Sequence, residues 1–137
     1  MRYILDEQNL NISYTVKKAP KINGVFLRTV KNTVLGKKYE LSIYFVGQDK
    51  IRSVNKQYRK KEYVPDILSF PYEDFGEMYI CLDKVQQKAK LFNTTSENYL
   101  NYLFVHGMTH LLGHDHGDEM DKIERKYTKK LNIFYPY

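Results

Sequence analysis

Two kinds of apolar periodicity alternate along the chain. Arg2 to Leu5 opens as a short strand. Pro20 suits the start of a helix, since its fixed φ already matches the first turn. Ile22, Val25, Phe26, Thr29, Val30, Thr33 and Val34 then recur at helical spacing, and Gly36 ends that helix with its lysines on the outer face. Tyr39 to Val46 alternates instead: Leu41, Ile43 and Phe45 point one way, Tyr44 and Val46 the other. Apolar residues on both faces predict a strand inside a sheet. Asp49 is placed to cap a second helix with Ile51, Val54 and Tyr58 as its stripe. Asp66 to Pro71 reads as a short strand whose proline sets its end at an edge or a turn. The Glu73 to Gly76 turn leads into a strand from Glu77 to Leu82, so the two form an expected antiparallel hairpin.

Asp83 to Phe92 follows as a third helix. Thr94-Thr95-Ser96-Glu97 reads as a capping box with Thr94 as the cap. The helix it opens runs through Leu112 and is apolar nearly all round, the pattern of a buried element. Glu119 to Leu131 is a charged amphipathic helix, and the aromatic tail Asn132 to Tyr137 is expected to dock on the body. The expectation is an α+β fold: a single small domain over residues 1–137, a mixed four-stranded sheet packed with helices, and no internal repeat or linker.

Composition narrows the class. A chain of 137 residues can bury one core. Cys81 is the only cysteine, which excludes an internal disulfide and a cysteine-based zinc site. No apolar run is long enough for a bilayer and no secretory leader is visible, so a cytoplasmic protein without a membrane partner is expected. The net charge of +6 is uneven. Gln8 to Tyr39 contains no acid against Lys17, Lys18, Lys21, Arg28, Lys31, Lys37 and Lys38. Lys50 to Lys61 contains none against Lys50, Arg52, Lys56, Arg59, Lys60 and Lys61. A polyanion is the partner such stretches fit; a generic basic surface is the plainer reading.

The chemistry concentrates in His106 to His116, which holds all 4 histidines of the chain. His106 and His110 stack on one helical face. Gly113 offers a helix stop, and a chain turning back there brings His116 round as a third donor. Three neutral nitrogen donors with one open position form the ligand set of a catalytic zinc, one ion per chain. The spacing matches the metzincin proteases, H-E-x-x-H-x-x-G-x-x-H, but Gly107 stands where their glutamate base is required. Peptidase chemistry by that route is not expected. Asp115 is open to two roles, accepting a ring N–H or capping the turn. His114 is either a fourth donor or an exposed turn residue.

The run H-G-x-x-H-L-x-G-x-D-H resembles the signature of the YbeY family, bacterial metal-dependent endoribonucleases linked to ribosomal RNA maturation. Asn55 to Arg59 resembles that family's N-x-x-Y-R block, Asp66 to Pro71 its D-V-L-S-F-P block, and Gly76 to Ile80 its G-D-I-x-I strand. Met120 to Glu124 resembles its M-x-x-x-E helix. Pro65, Thr109 and His114 depart from the usual residues. The resemblance implies a small mixed sheet with the zinc site on a central helix. It implies His106, His110 and His116 as ligands and Arg59 as the catalytic cation. The implied activity is zinc-dependent cleavage of single-stranded RNA in ribosomal RNA processing, at the 16S 3′ end and in small-subunit quality control, with no DNA substrate. A non-catalytic, zinc-stabilised RNA-binding assembly factor is the rival from another class, and a peptidase is the third reading after the nuclease and the binding factor. Ser69 either touches substrate or only belongs to its strand.

Overall fold

The computed structural model describes residues 2–137. In chain order its elements are β1 (Arg2–Glu7), β2 (Leu10–Tyr14), α1 (Gly24–Val34), β3 (Glu40–Phe45), α2 (Gln48–Arg59), β4 (Ile67–Pro71), β5 (Phe75–Ile80), α3 (Leu82–Leu91), α4 (Ser96–Leu111) and α5 (Asp118–Leu131). The strands form one mixed sheet in the order β1-β2-β3-β5-β4. β2, β3 and β5 run parallel, and antiparallel β1 and β4 close the two edges.

Strand alternation divides the protein into layers. Ile43 pairs with Met78 and Phe45 with Ile80, and all four are fully buried on the face covered by α1, α3 and α4. On the other face α2 lays Ile51 and Val54 against Val46, Leu68 and Cys81. α4 is buried along most of its length, from Tyr99 to Leu111. Its apolar surround matches the expectation of a central helix.

The α+β class holds, but the sheet has five strands rather than four. β2 is the addition. Leu10 and Ile12 are fully buried and alternate with Asn11 and Ser13, a short strand whose parallel partner β3 lies about thirty residues on. Its hairpin with β1 turns at Asn9 in the left-handed region (φ 67°), without the glycine that usually announces such a turn. α1 starts at Gly24, where Asn23 accepts from the Phe26 amide, and not at Pro20. α2 is entered through Gly47, with Asp49 inside its first turn. Thr95, one residue past the expected position, caps α4 by accepting from the Asn98 amide at 3.0 Å, while Thr94 holds the Asn98 side chain. The tail docks as expected, with Ile133 buried and Tyr135 edge-on to Tyr102 at 5.8 Å. No helix among the described residues is long and apolar enough to cross a membrane.

One lysine is misplaced by periodicity. Lys31 is not on the outer face of α1 but fully buried, its Nζ donating to the Lys37 carbonyl at 2.9 Å. Burial, and then the charge of Arg28, lowers its pKa. The flexible stem can lie along apolar surface and still deliver its tip to one acceptor.

Tyr79 supplies a test of the second face. Its ring stacks on Tyr44 at 5.0 Å and meets Phe70 edge-on at 6.0 Å. Burial, then the charge of Glu77, pushes its phenol up to about 12. An unfolded tyrosine titrates near 10, so the folded chain keeps this proton longer. The resulting stabilisation is intact below pH ~10 and lost as pH rises through about 12. Tyr79→Phe should therefore lose less stability than the parent across that interval, measured by urea unfolding at stepped pH. Superimposable pH curves for the two proteins would contradict this.

Candidate metal centre

His106 and His110 leave α4 one turn apart on the face that walls a cleft of about 810 Å³. The helix stops where the sequence suggests. Leu112 is its C-cap, Gly113 follows at φ +96°, and the Gly113 amide closes on the His110 carbonyl at 2.9 Å. The turn continues through Gly117 (φ +147°), and this loop returns His116 to the other two histidines. One nitrogen from each of His106, His110 and His116 lies within 4.8 Å of the others.

Two of the rings are fixed from behind. His106 Nδ1 lies 2.6 Å from Glu124 Oε2, and Tyr102 donates to the other carboxylate oxygen at 3.1 Å. Glu124 is only 2% exposed, so this pair of contacts satisfies a carboxylate that water does not reach. His110 Nδ1 lies 2.9 Å from the His114 carbonyl and donates to it. With both Nδ1 atoms occupied, each ring presents Nε2 to the centre, the arrangement that orients metal-bound imidazoles. Burial, then repulsion from His106, pushes the His110 pKa down, which favours the neutral ring that carries a free lone pair. Three convergent nitrogens and no thiol fit a single borderline cation such as zinc. His114 contributes through its backbone, and the carboxylate behind His106 comes from α5 rather than from Asp115.

α4 can lie this close to the sheet because residue 107 has no side chain. A Cβ at Gly107 would stand 2.6 Å from Ile67 Cδ1 and 3.1 Å from Ser69 Oγ. In the space left free, the Ser69 hydroxyl donates to the Gly107 carbonyl at 3.1 Å, pinning β4 to the helix. Thr109, fully buried, returns its hydroxyl to the Val105 carbonyl at 2.7 Å.

Arg59 is exposed in the last turn of α2 and lines the same cleft as the histidines. The exit from α2 is held in place: Asn55, fully buried, donates its side-chain amide to the Tyr63 carbonyl at 3.0 Å, and Lys60 takes the left-handed conformation. Arg59 has no carboxylate partner among the described residues. Lys84 and Lys88 of α3 also line the cleft and were not visible as a basic run, because Asp83, Gln86 and Gln87 are interleaved with them in sequence. Of the early basic stretch, Lys21 lines a separate hollow against Leu100 and Phe104 of α4, and neither Lys17 nor Lys18 lines the cleft. Tyr99 donates to Asp66 at 2.9 Å on the cleft wall.

The family model for Endoribonuclease YbeY matches residues 4–132. An Endoribonuclease YbeY from Finegoldia magna is 38% identical over 109 residues, covering 70% of this chain and 71% of that protein. One from Mycoplasma mycoides is 35% identical over 130 residues, covering 85% and 77%. The solution structure of TM1509 from Thermotoga maritima is similar at a TM-score of 0.61 and 27% identity, over 89% of this chain and 88% of that one.

The contacts at Gly107 and Glu124 predict different failures. Gly107→Glu should destabilise the fold by about 1–3 kcal/mol or more, as overpacking does, and should create no peptidase; a stable variant of unchanged melting temperature would contradict the close approach. Glu124→Ala should stay folded but bind zinc about 10–100-fold more weakly, read by competition with a chelator. Unchanged affinity would make Glu124 a purely structural acid.

Proposed function

The chain belongs to the Endoribonuclease YbeY family, and on that premise we propose that it is a zinc-dependent endoribonuclease cutting single-stranded RNA. Its place would be ribosomal RNA processing in the cytoplasm, at the 16S 3′ end and in small-subunit quality control, with residues 1–137 acting as one hydrolase domain. His106, His110 and His116 are the proposed ligands of one zinc ion, and Arg59 the catalytic cation. The observation that carries this reading is the convergence of three nitrogen donors and an unpaired guanidinium on one cleft.

A zinc ion held there supplies Lewis-acid polarisation of a phosphoryl oxygen and lowers the pKa of water. The chain does the rest. Glu124 and the His114 carbonyl hold two imidazoles in fixed tautomers, so that little reorganisation accompanies the reaction. The Arg59 guanidinium grips the reacting phosphate by two parallel hydrogen bonds and stabilises the charge that grows on it. Lys84 and Lys88 attract the flanking backbone, a contribution that ground and transition states share. No carboxylate stands at position 107 to serve as a protease base, and the close packing at that point leaves no room for one.

Three measurements test the assignment. The purified protein should carry about one zinc per chain by elemental analysis; His106→Ala should lose most of it and His114→Ala should keep it. Single-stranded RNA should be cut and unfolded casein should not. Arg59→Lys should slow single-turnover cleavage on the order of a hundredfold, while its salt slope of binding falls by at most about one phosphate contact. Replacing Lys84 and Lys88 together by alanine should do the reverse, lowering affinity and salt slope with little effect at saturating RNA. Equal losses of affinity and rate in both variants would reduce Arg59 to a surface charge, and the assembly-factor reading would then lead.

A further inference from the structure

The match to the family ends at residue 132, yet the segment beyond it reaches the cleft. Ile133 anchors that segment in the core, its amide donating to the Thr128 carbonyl at 2.8 Å. Tyr135 follows, edge-on to Tyr102 at 5.8 Å, with the Arg125 guanidinium over its ring at 4.8 Å. Tyr137 then lines the cleft itself. Its ring meets Phe92 at 5.3 Å, Tyr102 at 6.0 Å and Tyr135 at 6.1 Å, with interplanar angles of 82°, 70° and 75°. None of these three rings lies parallel to it, and the residue is 65% exposed. A ring fixed by three aromatic neighbours, none of them stacked flat on it, is free to take a flat partner.

The surroundings of Tyr137 say which partner. Leu91, 78% exposed, lines the same cleft, as do Lys84 and Lys88 of its own helix. Exposed apolar surface interleaved with cations suits a single strand of RNA, with rings for its bases and ammonium groups for its backbone. Tyr102 lies between Tyr137 and the metal centre, 6.0 Å from the one ring and 5.8 Å from that of His106. A base on Tyr137 therefore belongs to a nucleotide close to the phosphate held at the histidines. Burial, then the charges of Asp66, Glu124 and Asp121, raises the Tyr137 pKa. The phenol is thus neutral, and the carboxylates near it repel phosphate, so that the base enters and the backbone stays outside. Resting on the nuclease reading of this cleft, we propose that Tyr137 is a stacking platform for one unpaired base of the RNA, beside the cleavage position. A base inside a duplex has neighbours on both faces and reaches the ring only by being unstacked. The platform thereby favours a single strand without reading its sequence.

The test uses the zinc-loaded full chain and a short single-stranded oligouridylate carrying one 2-aminopurine, moved along the strand position by position. This base loses fluorescence when it stacks, and rapid mixing reads the bound strand before it is cut. Quenching should appear at one position or two adjacent ones, and Tyr137→Phe should keep it. Tyr137→Ala and Tyr137→Leu should abolish it and bind the strand about 5- to 150-fold more weakly, while staying folded and keeping the salt slope of binding. Leucine preserves an apolar contact with Phe92 and Tyr102, so its failure separates stacking from mere support of the tail. In both variants the preference for this strand over its duplex should fall by a similar factor. The proposal is overturned if a strand that binds is quenched at no position, if quenching survives in Tyr137→Ala, or if Tyr137→Leu binds like the parent. Binding without quenching removes the platform and leaves the nuclease assignment standing, whereas a protein that binds no RNA at all removes both.

Discussion

The structure turns on one close approach, where α4 meets β4 at a residue that has no side chain. An added Cβ at Gly107 would collide with Ile67 Cδ1 at 2.6 Å, and the gap it leaves is filled by a hydrogen bond from Ser69 to the helix backbone. This contact sets how deep the helix lies and therefore where His106 and His110 emerge. A second glycine works from the strand side: a Cβ at Gly76 would stand 3.0 Å from both methyls of Leu111, at the C-terminal end of the same helix. Interiors packed this closely do not slide. The residue that seats the helix also occupies the position at which a metzincin carries its base. The residue that lets the helix seat here is also the one that leaves that position without a carboxylate.

The three histidines are held by three different means, and this ties the site to the fold. His106 depends on Glu124 and Tyr102, and so on the docking of α5 against α4. His110 depends on a carbonyl four residues on, and so on the turn at Gly113. His116 is exposed and depends on the loop alone. A buried carboxylate left without partners would cost several kcal/mol; here one oxygen faces an imidazole and the other a phenol. Burial, and then the charge of Glu124, pushes the Tyr102 pKa upward, which keeps that phenol a donor at any ordinary pH. Whatever binds at the three nitrogens therefore also reinforces the packing of α5, because a ligand for the folded state stabilises the elements that build its site.

Much of this was legible in the sequence because it was local. Helix periodicity, the glycine stop and the histidine spacing all lie within a few turns of chain, and the elements they predict are present. What was missed was non-local or lacked its usual marker. β2 is short, pairs in parallel with a distant strand, and turns on Gln8-Asn9 without glycine. Lys31 falls on a helical face that periodicity assigns to solvent, yet a carbonyl six residues later draws it inward. Glu124 was visible only as part of a family block; nothing in its neighbourhood says that it sits behind a histidine eighteen residues away. Lys84 and Lys88 line the cleft beside Arg59 although no basic run announces them, while Lys17 and Lys18 lie outside it.

That last displacement changes what the net charge means. A total of +6 suggests a molecule coated with cations, but strand alternation sorts the charges by face. In β5, Met78 faces the helices and Glu77 the opposite side, and in β4 Ser69 and Phe70 divide in the same way. Each face therefore presents its own charges, rather than the total, to whatever approaches it. The pleat of the sheet keeps Glu40 and Glu77 on the side opposite the histidine-bearing helix, so the net charge describes neither face.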